Sequence, residues 1–184
     1  FSEHLLRRAC DFLYEQHRRM FEAAGEWIDI AQVTDDFGSQ HGPLISPEVF
    51  RQFYMPWCKR FIDLCKSYDI KVFHHDDGSC RVFIPELVEL GIDVLNPIQW
   101  KCPGMDMVEL KREFGDRLCF HGGIENQHIL PNGTPEDVRE EVLTCLRTLG
   151  EGGGYIPSSC HNIQAGTPPE NVLAMLQSVH DWQP

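Results

Sequence analysis

Residues 70–98, IKVFHHDDGSCRVFIPELVELGIDVLNPI, decide how the chain folds. They open with a short β-rich run, Ile70–His75, and then turn polar at Asp76-Asp77-Gly78. A helical pattern follows over 81–90, and a second apolar run over Val94–Ile98. Strand, helix, strand at this spacing is a βαβ unit, which implies parallel pairing.

The same alternation extends both ways. Upstream, residues 3–24 predict a helix carrying Leu5, Leu6, Ala9, Phe12, Leu13 and Phe21 on one side, followed by a strand over 27–31. Ser46-Pro47 caps and opens another helix, with Phe50, Phe53, Tyr54, Trp57, Phe61, Leu64 and Cys65 expected inside and a kink at Pro56. Downstream, a helix over 106–114, a strand over 118–122, a capped helix from Thr134 and a strand over 155–159 continue the series. A capping box from Thr167 to Glu170 is expected to start the last helix. The α/β pattern fits either an open doubly wound sheet or part of a (β/α)8 barrel, and about five units are present where a closed barrel needs eight strands.

Composition narrows function. The chain has 184 residues and a net charge of −12, a poor surface for nucleic acid or an anionic membrane. There is no membrane-length apolar run. The eight cysteines form no C-x-x-C pair and read as reduced, mostly buried thiols of a cytoplasmic protein. The start at Phe1 reads as a fragment, with roughly three amino-terminal barrel units lying outside it if the fold is a barrel.

Chemistry-bearing residues gather after the expected strands, at 35–41, 74–78, 96–100, 121–126 and 158–162. In a (β/α) barrel the carboxyl ends of the strands form the active-site face, so five such clusters converge on one mouth. His74-His75-Asp76-Asp77-Gly78 is the densest. Alternation sends only one of the two histidines to the mouth. His75 and Asp77, joined by His161 or Cys160 from the last strand end, offer either a divalent-metal site or acid–base groups. The plainer alternative is a hydrogen-bonded His–Asp pair. Asp36, Gln40, Asn96, Gln99, His121 and Glu125 are the expected substrate contacts.

Seven segments then match one family in order and spacing. They are DDFGSQ (35–40), LISPEVF (44–50), HHDDG (74–78), IPELVELGIDVLNPIQ (84–99), FHGGIE (120–125), CHNI (160–163) and TPPENV (167–172). The chain resembles the carboxyl-terminal part of the uroporphyrinogen decarboxylase superfamily, which implies the (β/α)8 barrel as one domain over 1–184. One branch, the decarboxylase, works on uroporphyrinogen without cofactor or metal, and His161 matches a histidine of its last motif. The other branch exchanges methyl groups with a corrinoid carried by a partner protein and uses zinc bound by an H-x-C-G motif and a later cysteine. Here His75 and Gly78 match that motif, Asp77 replaces its cysteine, and His161, beside Cys160, replaces the later one. A His/Asp/His set is harder than a His/Cys/Cys set, which implies weaker zinc binding, preference for another divalent ion, or no metal. The resemblance implies a methyltransferase-like enzyme with catalytic His75, Asp77 and His161, or else a decarboxylase acting on a small-molecule tetrapyrrole. A catalytically inactive barrel that binds a ligand or partner is the third reading. Homodimers are common in the superfamily, although no interface signature stands out.

Overall fold

The structure is a computed structural model, and it describes residues 1–183. Five strands, β1 (Ile30–Thr34), β2 (Lys71–His75), β3 (Val94–Asn96), β4 (Cys119–Ile124) and β5 (Tyr155–Ser159), form one parallel sheet. Their order in the sheet is their order in the sequence. A doubly wound sheet reverses strand order at a switch point. No reversal occurs among the described strands, so the architecture is a segment of a (β/α) barrel.

Register separates the two faces. One row runs Val33, His74, Leu95, Phe120, Tyr155. Leu95 and Phe120 are fully buried and His74 is 1% exposed, because this row faces the covering helices. The alternate row holds Thr34, His75, Asn96 and Ile156, with His121 next in register after Asn96. It lines the concave side, where Ile156 is 43% exposed and Thr34 is open to solvent.

The helices are α1 (Ser2–Ala24), α2 (Pro47–Val49), α3 (Met55–Ser67), α4 (Ile84–Leu90), α5 (Met107–Phe114), α6 (Ile129–Asn132), α7 (Pro135–Leu149) and α8 (Pro169–His180). Phe21, Phe50, Ile62, Phe83, Leu87, Leu110 and Phe114 from these helices and their flanks pack against the outer row in one cluster. Each fully buried Leu or Phe of this kind stabilises by roughly 1.5–3 kcal/mol. A second cluster joins Ile124 and Leu130 to α7 and α8.

Several expectations change. β1 begins at Ile30, because Gly25–Trp27 wind a 3-10 turn and leave Trp27 80% exposed. The break near Pro56 is a π-helical turn over Phe50–Tyr54, and Pro56, with no N–H to continue that turn, sits in the first turn of α3. The capping box at Thr167 does not form. Pro168 is the N-cap of α8, the Thr167 N–H is engaged by the Gln164 carbonyl, and the Thr167 hydroxyl is buried without a partner. Thr134 and Asp137 make a capping box at α7 instead. Along α1, Phe21 is buried but Leu5 and Phe12 stay exposed.

Candidate active site at the carboxyl ends of the strands

The concave row sets the site. At the end of β2, His75 turns its side chain to the mouth, while His74 turns outward and stacks on Phe37. His75 Nδ1–H donates to Asn96 Oδ1 at 2.6 Å. The Asn96 amide in turn donates to His121 Nδ1 at 2.8 Å. One amide thus fixes two imidazoles: His75 carries its proton on Nδ1, and His121 must accept on Nδ1. Burial pushes the His121 pKa down, which suits a neutral ring in that role.

With Nδ1 occupied, His75 Nε2 faces two carboxylates. Asp77 Oδ2 lies at 3.7 Å and Asp36 Oδ1 at 3.8 Å. The Asp77 carboxylate is the main cause that lifts the His75 pKa to about 9, opposed by burial and assisted by Asn96 and Asp36. Donor atoms of Asp36, His75 and Asp77 all lie within 4.8 Å of one another.

Two loops interlock to bring Asp36 there. Asp76, fully buried, accepts the backbone N–H groups of Phe37 and Gly38 at 2.8 and 2.9 Å. The Asp77 N–H donates to Asp36 Oδ1 at 3.1 Å. Gly38 passes so close to the next loop that a Cβ would run into the Asp77 carbonyl. Gly78, at φ +80°, lies equally close to Ser39. Beneath the loops, His74 Nδ1–H donates to the Val33 carbonyl, and its Nε2 faces Asp76 Oδ2 at 3.9 Å.

A uroporphyrinogen decarboxylase (URO-D) family model matches residues 1–182. The chain belongs to this family. Among curated relatives, uroporphyrinogen decarboxylase of Pseudoalteromonas translucida is 26% identical over 147 residues, covering 77% of this chain and 39% of the relative. The enzyme of the same name from Legionella pneumophila strain Corby is 28% identical over 147 residues, covering 78% and 39%. The chain therefore spans about two fifths of the length of the curated relatives it matches. Among solved structures, a methyltransferase from Methanosarcina mazei superposes with a TM-score of 0.62 at 20% identity, covering 83% of this chain and 42% of that one. That likeness shows the shared fold.

Within this URO-D family chain, the residues singled out from sequence separate into four groups. His75, Asp77 and Asp36 meet, as do His75, Asn96 and His121. Gln40 and Gln99 are hydrogen-bonded to each other at 3.1 Å, and Gln99 also accepts the Gly78 N–H. Glu125 lines the same mouth, yet its carboxylate accepts three backbone N–H groups, from Gln127, His128 and Ile129. Burial would raise its pKa, but these donors win and lower it.

At the β5 end, His161 and Cys160 are not members of the close donor group. His161 shares a cavity wall with Asp77. Cys160 turns inward, donating to the Ile98 carbonyl at 3.5 Å, and burial raises its thiol to about 12. Its Sγ is thus turned to the core rather than to the Asp36, His75 and Asp77 group. Asp36, expected to contact substrate, is the third member of the close donor group. Its signal was the Asp-Asp-Phe-Gly stretch itself, but nothing local to that stretch reveals that it folds over β2.

Proposed function

We propose that the chain is the carboxyl-terminal, site-bearing part of a methyltransferase-like enzyme of this family. It would exchange a methyl group with a corrinoid carried by a partner protein and hold a divalent metal on Asp36, His75 and Asp77. The carrying observation is the orientation of His75: Asn96 holds Nδ1 and leaves Nε2 facing two carboxylates. Metal-bound histidines are commonly oriented in this way by a partner on the other nitrogen. Two carboxylates and one imidazole suit zinc, manganese or ferrous iron better than a soft cation.

When bound, such an ion supplies Lewis acidity, which lowers the pKa of a hydroxyl or thiol acceptor. The chain's own residues have separate tasks. Asn96 sets the His75 tautomer, Asp76 holds the loop that carries Asp36, and His121, which accepts from Asn96 on Nδ1, would carry its proton on Nε2 as a donor toward substrate.

Elemental analysis of the full-length protein, purified without chelator, tests the reading. About one equivalent of a divalent metal is expected. It should be lost in His75→Ala and in Asp36→Ala, and retained in His161→Ala. A well-folded wild type without metal would sink the proposal.

The second reading is decarboxylation of uroporphyrinogen, supported by the curated relatives of that name at 26–28% identity. Robust coproporphyrinogen formation by the full-length protein would replace methyl transfer with that reading.

A further inference from the structure

We propose that His74, on the outer face of β2, is a positioning residue for the site: it staples the turn that follows β1 and so fixes where Asp36 stands against His75 and Asp77. This rests on the reading that those three side chains act together at the mouth, and it names the residue that sets their spacing from behind the sheet.

His74 is 1% exposed and pairs in register with Val33 of β1. It grips the stretch from Val33 to Gly38 at both ends. At the near end its Nδ1–H donates to the Val33 carbonyl at 2.8 Å. At the far end its ring stacks on Phe37, with centroids 6.1 Å apart and planes 20° from parallel. Phe37 is itself packed edge-on against Phe50, Tyr54 and Phe83, which fixes the face it offers to His74. Asp36 lies between the two grips.

A third contact runs through Asp76. Its Oδ1 accepts both loop N–H groups, from Phe37 and Gly38. Its Oδ2 faces His74 Nε2 at 3.9 Å. Both of these facing atoms are buried, and neither has a hydrogen-bond partner among the described residues. Buried polar atoms are ordinarily satisfied. The two face each other at a separation that suits electrostatic pairing or one bridging water. A ring that only filled the core would need neither nitrogen. Here Nδ1 holds the start of the turn, and Nε2 is aimed at the carboxylate that holds its end.

Three substitutions in the full-length protein separate these contacts. His74→Phe keeps the ring and removes both nitrogens. His74→Asn offers an N–H near the Nδ1 position but lacks the reach to Asp76. His74→Gln reaches about as far as Nε2 and can donate to Asp76. Hydrogen exchange followed by mass spectrometry reads the loop directly. Peptides covering 35–40 are expected to exchange about tenfold faster in His74→Phe and His74→Asn, and near the wild-type rate in His74→Gln. Peptides covering β3 and β4 should keep wild-type rates throughout. Unchanged exchange over 35–40 in the Phe and Asn variants, or equal acceleration over β3 and β4, would overturn the proposal. A crystal structure of the wild-type full-length protein gives a check that needs no variant to fold. His74 Nε2 and Asp76 Oδ2 are expected to be joined there, directly or through one water, and a different partner for either atom would also overturn it. Metal binding to the same samples separates the two claims. The dissociation constant for the metal is expected to rise about tenfold in His74→Asn and to return in His74→Gln. Metal-loaded protein whose loop and affinity both ignore His74 would remove this inference alone. Metal-free protein with the expected exchange pattern would remove the metal reading alone.

Discussion

His75 shows how neighbours set the state of one side chain. In metal-free protein the Asp77 carboxylate, with Asn96 and Asp36, outweighs burial and raises its pKa to about 9. The sign follows from linkage. The folded pKa lies above the ordinary value near 6.5, so the stabilisation is complete below about pH 6.5 and is lost as pH rises through about 9. NMR titration of the His75 imidazole in chelator-treated protein is expected to give a midpoint near 9. In Asp77→Asn that midpoint should fall toward the ordinary histidine range. A midpoint near 6.5 in wild type would mean that Asp77 does not face the ring in solution. The cysteines give a second check at this scale. Burial raises Cys58, Cys145 and Cys160 to about 12, so all three are expected to resist iodoacetamide at pH 8 until the protein is unfolded. That six of the eight are buried agrees with the reading of the cysteines as core thiols, since they recur within apolar patterns. Which histidine of the 74–75 pair reaches the mouth was only half legible. Alternation requires one in and one out, but register with β1 and β3 makes the choice.

At the scale of elements, the site depends on how the 35–40 and 76–80 loops cross. Asp76→Ala leaves the Phe37 and Gly38 N–H groups without their acceptor, with a cost of about 1–3 kcal/mol in urea unfolding. Gly38→Ala forces the loops apart at the Asp77 carbonyl. It is expected to weaken metal binding about tenfold or more, the range seen when the support of a metal ligand is lost. Retention of full affinity would show that the loops adjust freely. Thr134→Ala removes the capping box of α7 and should cost ~1 kcal/mol without touching metal content. The helices and strands themselves were largely legible, because 3.6-residue and two-residue periodicities are local. Boundaries were less so. The 3-10 turn at Gly25–Trp27 and the π-helical turn at Phe50–Tyr54 depend on hydrogen bonds that no pattern of apolar residues encodes. At α8, the Thr167–Glu170 spacing was correct for a cap, but Asn171 is drawn inward to bond the Leu130 and Gly133 carbonyls, and the helix starts one residue later.

For the molecule as a whole, the consecutive strand order leaves β1 and β5 as edges and the inner row open. Ile30 is 50% exposed and Ile156 is 43% exposed on that concave side. Such edges and apolar faces promote pairing with other chains. This chain expressed alone is therefore expected to self-associate in sedimentation velocity and to bind a hydrophobic dye, and Ile156→Lys should reduce both. A monodisperse, dye-silent monomer would contradict that expectation.

The sequence by itself determined the alternation of strand and helix, the parallel pairing that follows from it, and the gathering of polar residues after each strand. Those are properties of short windows, where side-chain periodicity and turn residues act locally. The quoted motifs added the family and its barrel. Tertiary structure alone decided the site. Asp36 joins His75 and Asp77 because two loops distant in sequence interlock at Gly38 and Gly78. Cys160 withdraws because the end of β5 packs it against Ile98. Distances across a barrel mouth depend on how strands pair and loops cross, and no spacing along the chain carries that information.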